Sequence, residues 1–157
     1  MVRPNSAYPN RPPRLQLFAA QQPFYFVTFN TSDRRHLLAS ALVHECFVDF
    51  CIRASPYGVA VGRYVLMPDH AHMFVMTSEG TKLTDWMRAL RTVLGKGLWA
   101  AGHHKPHWQE GFFDHVLRSG ESYSQKWEYV RTNPVRAGLC ERPEDWPFQG
   151  EIVRLSY

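Results

Sequence analysis

Two histidines one residue apart interrupt the apolar stretch VLMPDHAHMFVM at residues 65–76. If the stretch is a strand, alternate side chains share a face, so His70 and His72 point the same way and Ala71 points the other. Two adjacent imidazoles can hold one metal ion, although such a pair also occurs as a hydrogen-bonded structural feature. With oxygen ligands and solvent, the site would suit Mg²⁺ or Mn²⁺ in phosphate chemistry, or Zn²⁺ if a cysteine joined it. The pair is a candidate metal site that needs a third ligand.

A second candidate lies in the stretch YVRTNPVRAGL at residues 129–139, near the end of the last predicted helix. Tyr129 and Asn133 are four residues apart, so on one helix they lie on the same side, away from its apolar stripe. A tyrosine can attack phosphorus, and a metal ion that polarises the phosphate would assist it, with Asn133 as the third ligand. The alternative is a surface tyrosine and an asparagine favoured before Pro134. Tyr123, a rival nucleophile, falls on the apolar stripe and is expected in the core.

Periodicity predicts the elements that position these residues. Ser40 is a plausible N-cap of the first helix, Ser122 and Gln125 form a capping box for the last, and a tight connection at residues 68–69 joins two strands as a hairpin. The order favours an α+β, ferredoxin-like fold with the helices on one side of an antiparallel sheet of four to five strands. The predicted strands are 24–29, 57–67, 70–76 and 112–118, and the predicted helices are 39–55, 82–100 and 122–134.

Length and composition indicate one globular domain, since the 157 residues are 45% hydrophobic and 20% charged. We predict a Pro and Arg-rich arm at 1–22, a catalytic domain at 23–150 and a short tail at 151–157. The three cysteines form no C-x-x-C pair and fit a reducing cytoplasm. The sequence contains no apolar stretch long enough for a membrane span, so we expect no membrane partner.

The net charge of +4 is unevenly distributed along the chain. Basic residues concentrate at 1–38 and 82–105, which suggests a positive face for a polyanion, although a solvated basic surface is the alternative. His103, His104 and His107 resemble a zinc cluster but lack a paired Cys or Glu, so we interpret them and Trp108 as loop residues or phosphate contacts. The candidate residues for binding this polyanion are Arg34, Arg35, Arg88, Arg91, Lys96, Arg131 and Arg136.

Two motifs together carry a family resemblance. MPDHAHMFV, followed by WEYVRTNPVRAGLCERPEDWP, resembles the single-tyrosine transposases of the His-hydrophobe-His nuclease superfamily, and most closely the REP-associated tyrosine transposases of bacterial chromosomes. The resemblance runs from FYFVTFNTSDRR through RPEDWPFQG and includes WQEGFFDHVLR in the same order. It implies that His70 and His72 are metal ligands, that Tyr129 is the nucleophile and that Asn133 replaces a glutamine ligand of related transposases. Ala71 departs from the family by being small.

The resemblance implies a metal-dependent endonuclease and strand transferase that acts on single-stranded DNA at REP-like hairpins. It would use Mg²⁺ or Mn²⁺, form a 5′-phosphotyrosine intermediate and act as a monomer or homodimer in the bacterial cytoplasm, associated with the nucleoid. The sequence has no G-x-x-x-x-G-K-[ST] phosphate loop, which fits a reaction without a nucleotide cofactor. Two alternatives remain: a domesticated, non-catalytic binder of structured DNA or RNA, and a metal-dependent hydrolase without a covalent step.

Overall fold

A five-stranded antiparallel sheet forms the centre of the protein, in the strand order β4-β1-β3-β2-β5. The structure is a computed structural model and describes residues 22–156. The strands are β1 (Phe24–Asn30), β2 (Val59–Leu66), β3 (His70–Thr77), β4 (Phe113–Val116) and β5 (Gln149–Glu151). The helices are α1 (Ala41–Ile52), α2 (Leu83–Ala100), α3 (Gly120–Arg131) and α4 (Asn133–Arg136), with 3-10 turns at Ser32–Arg34, Ser55–Tyr57 and Pro143–Asp145.

The predicted hairpin is confirmed as β2 and β3, and it places both histidines on the central strand. The backbone N–H of Met67 donates to the carbonyl of His70 at 2.8 Å and closes the connection. On its other edge β3 pairs with β1, so that Thr28 lies opposite His72 and Asn30 lies opposite His70. The histidines therefore have paired backbone on both sides, which fixes the direction of their side chains.

The sheet is covered on both faces. On one face α1 and α2 pack on alternate residues of β1 and β3, such as Phe29 and Met73, and Ala71 is fully buried there. On the other face α3 packs on Phe26 and Phe74 through its own buried residues. The α+β class and the five-stranded antiparallel sheet are thus confirmed, but the one-sided placement of the helices holds only for α1 and α2. The physical reason is that successive residues of β1 and β3 are apolar, so both faces require a cover.

The N-cap predicted for α1 is confirmed, and the N-cap predicted for α3 is wrong. Ser40 caps α1 as expected, with its hydroxyl accepting from Val43 N at 3.3 Å. The capping box predicted for α3 is wrong, because the cap is Ser119, whose hydroxyl accepts from Ser122 N at 3.1 Å. The side chain of Gln125 donates instead to Glu121 Oε1 at 3.1 Å.

A break at Thr132 separates α3 from α4, so the expectation that Tyr129 and Asn133 share one helix is wrong. Pro134 has no N–H and cannot continue the ladder of α3. The hydroxyl of Thr132 donates to the carbonyls of Glu128 and Tyr129 at the end of α3, at 3.1 and 3.0 Å. Asn133 begins the separate short helix α4.

The C-terminal residues belong to the core and not to a separate tail. The boundary predicted at 150 falls inside β5, and Ile152 and Leu155 are buried on opposite faces of the sheet. Gly62 makes room for this segment, since a Cβ there would lie 2.8 Å from Leu155. The predicted arm lies outside the described residues except for Gln22. Within residues 22–156, no helix is long and apolar enough to cross a membrane.

Candidate active site

The imidazoles of His70 and His72 face the side-chain amide of Asn133. The amide nitrogen lies 3.3 Å from His70 Nε2 and 3.1 Å from His72 Nε2, and the two ring centroids are 4.8 Å apart. A half-turn about the terminal bond of Asn133 exchanges its nitrogen and oxygen, which places a carbonyl oxygen before the same two nitrogens. With the amide in that orientation, three side chains from β3 and α4 would present two nitrogens and one oxygen to a single point. The donor set fits a divalent cation.

Each imidazole is held from behind through its Nδ1 atom. His72 Nδ1 lies 2.8 Å from the hydroxyl of Thr28 on the neighbouring strand. His70 Nδ1 lies 2.7 Å from Asp69 Oδ1. When Nδ1 carries the proton, the lone pair of each ring is on Nε2, which is the atom that faces Asn133. Such outer hydrogen bonds orient metal-binding imidazoles and raise their basicity.

Asp69 is in turn held by Arg34. The guanidinium donates from Nε to Asp69 Oδ2 at 2.9 Å and from Nη1 to Asn30 Oδ1 at 3.0 Å. Burial opposes ionisation of Asp69, but the hydrogen bond and charge of His70 and the nearby Arg34 outweigh it and lower the pKa of Asp69. Asp33 and Arg34 both have a positive φ, 52° and 54°, which is uncommon for residues other than glycine. This strained turn aims Arg34 at Asp69.

His72 is a neutral base in this setting. Burial, followed by the charges of His70, Lys126, Arg136 and Arg34, lowers the pKa of His72 to about 3. Its ring also stacks on Phe26, with centroids 5.4 Å apart and planes 19° apart. At neutral pH its Nε2 lone pair is therefore available to a cation.

Tyr129 projects from α3 at the margin of this site. Its side chain is 63% exposed, and the guanidinium carbon of Arg136 lies 4.0 Å from its ring centroid. Tyr129 lines a small pocket of about 310 Å³ together with Lys126. The ammonium of Lys126 lies 5.1 Å from the ring centroid of Phe26, against which His72 stacks. Lys126 and Arg136 are thus both near the phenol, and the charges of both act on His72.

Tyr123, the rival nucleophile, is a core residue. It is only 9% exposed and packs edge-on against Phe24 and Phe74, with centroids 4.9 and 4.8 Å apart. Burial raises the pKa of Tyr123 to about 12. Its phenol is enclosed, whereas that of Tyr129 is open to a substrate.

The predicted DNA-binding residues separate into groups. Arg34 and Arg136 belong to the site through Asp69 and Tyr129, whereas Arg131 is paired with Glu128 and Glu144. Arg35 donates to the carbonyls of His104 and Pro106 at 2.7 and 3.0 Å and holds that loop. The remaining three lie on α2, across the sheet from the histidines: Arg88, Arg91 and Lys96.

The loop histidines do not form a metal site. In residues 22–156 no group of three His, Cys, Asp or Glu side chains could hold an ion, so a metal site at the pair on β3 would need Asn133 as a third protein ligand. His107 is buried, and its Nε2 lies 2.9 Å from the carbonyl of His103.

Sequence reasoning missed Thr28 and Asp69 as partners of the imidazoles. Asp69 is signalled by its position directly before His70 at the hairpin turn, where a short carboxylate can reach the neighbouring ring. Thr28 becomes visible only from the register between β1 and β3.

The chain belongs to the family of IS200-like transposases, whose family model matches residues 21–133. It is 30% identical over 127 residues to the REP-associated tyrosine transposase of Escherichia coli K12, covering 79% of this chain and 73% of that protein. A Haemophilus influenzae protein is 22% identical over 135 residues, covering 79% and 77%. In fold the chain resembles a REP-associated tyrosine transposase solved bound to a REP hairpin, with a TM-score of 0.68, 20% identity and coverage of 91% and 94%.

Proposed function

We propose that this transposase cleaves and rejoins single-stranded DNA at REP-like hairpins, with Tyr129 as nucleophile and Mg²⁺ or Mn²⁺ as cofactor. The observation that carries the proposal is the convergence of His70 Nε2 and His72 Nε2 on the amide of Asn133. The hairpin is proposed as substrate because a relative of the same fold was solved with one. The proposal rests on both the donor set and the family.

His70, His72 and Asn133 would hold the ion, which when bound supplies a positive charge that polarises the scissile phosphate. Asp69 and Thr28 keep the two imidazoles in the orientation and tautomer that ligation needs. These groups are in place before substrate arrives, so little reorganisation is required at the moment of reaction.

In the chemical step, the hydroxyl oxygen of Tyr129 attacks the scissile phosphorus and loses its proton to solvent. The bond from phosphorus to the 3′-oxygen breaks, and that oxygen takes up a proton and leaves as a free 3′-hydroxyl. The product is a 5′-phosphotyrosine, which conserves the phosphodiester. Attack of a 3′-hydroxyl on the adduct reverses the step and joins strands without a nucleotide cofactor.

Lys126 and Arg136 would act on the phosphate beside Tyr129. Both are cations near the phenol and near His72. They would attract the phosphate to the exposed face of α3 and offset the charge that develops on its oxygens. Their long side chains can do this without a change in the backbone.

The direct test is to incubate the protein with Mn²⁺ and a hairpin DNA that carries a single-stranded flank and a label on the 3′ side of the cleavage site. We expect a covalent protein-DNA band under denaturing conditions, lost in chelator and in Tyr129→Phe. Tyr129→Phe should still bind the DNA, because it loses a hydroxyl and no charge.

Other outcomes would replace the proposal. Metal-dependent cleavage by the wild type without an adduct would indicate a hydrolase that has no covalent step. Tight hairpin binding without cleavage in Mg²⁺ or Mn²⁺ would indicate a domesticated binder.

A further inference from the structure

A groove of about 800 Å³ runs between α2 and residues 105–111, on the face of the sheet opposite the histidine pair. One wall of the groove is a face of α2, on which the lining residues recur every three to four positions from Arg88 to Trp99. The other wall is the loop that carries Lys105 and Trp108. We call this feature the α2 groove.

Both walls of the α2 groove are fixed to each other. Trp108 Nε1 donates to the carbonyl of Arg91 at 2.9 Å, and Arg91 Nη1 donates to the carbonyl of Gly111 at 2.9 Å. Gly95 permits the close approach, since a Cβ there would lie 3.3 Å from His107 Nδ1 and 3.5 Å from Trp108 Nε1. A groove that is preformed in this way loses little entropy on binding a ligand.

The lining is cationic and aromatic. Four basic side chains and one carboxylate, that of Glu110, line the groove, and Arg88 also pairs with Asp85 at 3.4 Å. The groove therefore keeps a positive charge that attracts an anion. Trp99 is 60% exposed, and the ammonium of Lys105 lies 5.8 Å from its ring centroid. The four cations are Arg88, Arg91, Lys96 and Lys105.

We propose that the α2 groove binds an unpaired segment of the DNA substrate, with one base stacked on Trp99 and its phosphates on the surrounding cations. A polyanion with exposed aromatic faces is complementary to this combination of side chains. In a duplex the base faces are already stacked on one another, so an exposed indole favours single strands. The inference rests on the proposed function, because it takes single-stranded DNA as the substrate.

The groove is joined to the candidate active site through the backbone. The N–H of Gln109 donates to the carbonyl of Asn30 at 3.0 Å, and Thr31 pairs with Trp108. Asn30 is the residue of β1 that lies opposite His70. The loop wall therefore starts at the end of the sheet that carries the metal-binding candidates, which makes the groove a second contact for the same DNA.

The test measures binding of fluorescein-labelled oligo(dT) and of a blunt duplex of equal length by anisotropy at several salt concentrations, without divalent metal. Trp99→Ala should weaken oligo(dT) binding by about tenfold, within the usual range for loss of one stacked base. Trp99→Phe should recover most of the affinity, because a phenyl ring still stacks. Lys96→Gln should lower the salt slope by about 0.7, the value for one phosphate contact on a single strand.

Two matched controls lie outside the groove. Tyr57→Ala removes an aromatic side chain that is 74% exposed, and Arg53→Gln removes an exposed cation that is paired with Asp49. Neither should change oligo(dT) affinity. Thermal melting should be close to wild type for all variants, since each altered side chain is exposed.

Unchanged oligo(dT) affinity in Trp99→Ala would overturn the inference, as would an equal loss of affinity for the blunt duplex. The two experiments together distinguish a failure of the groove proposal from a failure of the proposed chemistry. If the wild type forms no adduct but Trp99→Ala loses oligo(dT) binding, the groove stands and the catalytic proposal fails. If the adduct forms and Trp99→Ala binds as wild type, the groove fails alone.

Discussion

Arg34 and Asp69 form an ion pair directly behind His70, with Arg34 Nε 2.9 Å from Asp69 Oδ2. The other oxygen of Asp69 lies 2.7 Å from His70 Nδ1. The Arg34 side chain is 55% exposed, so the pair contributes less than about 1 kcal/mol to folding. Its importance lies in orienting the imidazole.

We therefore expect Asp69→Asn and Arg34→Gln to weaken Mn²⁺ binding by about tenfold or more, the usual effect of losing an outer hydrogen bond. Thermal stability should change little. Isothermal titration with Mn²⁺ measures the affinity directly and does not depend on DNA cleavage. Arg88→Gln is the matched control, because it breaks a comparable exposed pair with Asp85. Equal Mn²⁺ affinity in Arg34→Gln and wild type would show that Asp69 needs no support.

Tyr123 gives a prediction for alkaline pH. Its pKa rises from 10.0 to about 12 on folding because its phenol is buried. The unfolded state thus loses this proton at a lower pH than the folded state, so stability due to the phenol is present below pH 10 and is lost as pH rises towards 12. Denaturant unfolding between pH 9 and 12 should show a smaller loss of stability in Tyr123→Phe than in wild type. Identical pH dependence in the two proteins would contradict the burial of the phenol.

The same variant tests the assignment of the nucleophile. Tyr123→Phe should retain the covalent adduct that Tyr129→Phe loses, because Tyr123 is enclosed between α3 and the sheet. An adduct that disappears in Tyr123→Phe, in a protein of normal thermal stability, would reverse the assignment.

The sequence predicted the central hairpin well, because two short apolar runs flank the Pro68–Asp69 turn that marks where the chain reverses. It did not reveal β5, whose three residues are too few for a periodic signal. That strand is held by long-range contacts, such as the ion pair of Arg63 with Glu151 at 3.0 Å. Contacts between residues distant in sequence are invisible to local patterns.

The site was predictable only in part for the same reason. His70 and His72 are recognisable from their spacing, and the structure brings Asn133 to them. The four-residue spacing placed Asn133 beside Tyr129 on one helix, and that reasoning was wrong because Asn133 belongs to α4 and not to α3. The break at Thr132 starts α4 at Asn133, and a local sequence pattern does not encode the contact of Asn133 with two residues of β3.

Asn133 tests whether the site has a third protein ligand. Asn133→Asp keeps an oxygen and adds a charge, so it should bind Mn²⁺ at least as tightly as wild type. Asn133→Leu removes both polar atoms and should raise the Mn²⁺ concentration needed for half-maximal cleavage by about tenfold or more. A metal titration of adduct formation measures both. Because Asn133 lies outside α3, neither change should displace Tyr129. Normal cleavage by Asn133→Leu at low Mn²⁺ would show that the two imidazoles are the only protein ligands of the ion.

Arg136 and Arg131 are a natural pair for testing the cations near Tyr129. Arg136 lies over the ring of Tyr129, with its guanidinium carbon 4.0 Å from the centroid. Arg131 is already paired with Glu128 and Glu144, at 2.9 and 3.3 Å. Arg136 could thus bind a phosphate at the proposed nucleophile, whereas Arg131 would have to leave two carboxylates.

We expect Arg136→Gln to slow adduct formation at saturating DNA by at least about tenfold, since it removes a charge where the phosphate becomes more negative. Arg136→Lys should recover only part of the rate, because an ammonium keeps the charge but lacks the planar group that stacks on the ring. Arg131→Gln should react like wild type. Single-turnover rates with preformed hairpin measure all three. A larger loss in Arg131→Gln than in Arg136→Gln would mean that the phosphate approaches α3 from the side of Glu144 and not across the face of Tyr129.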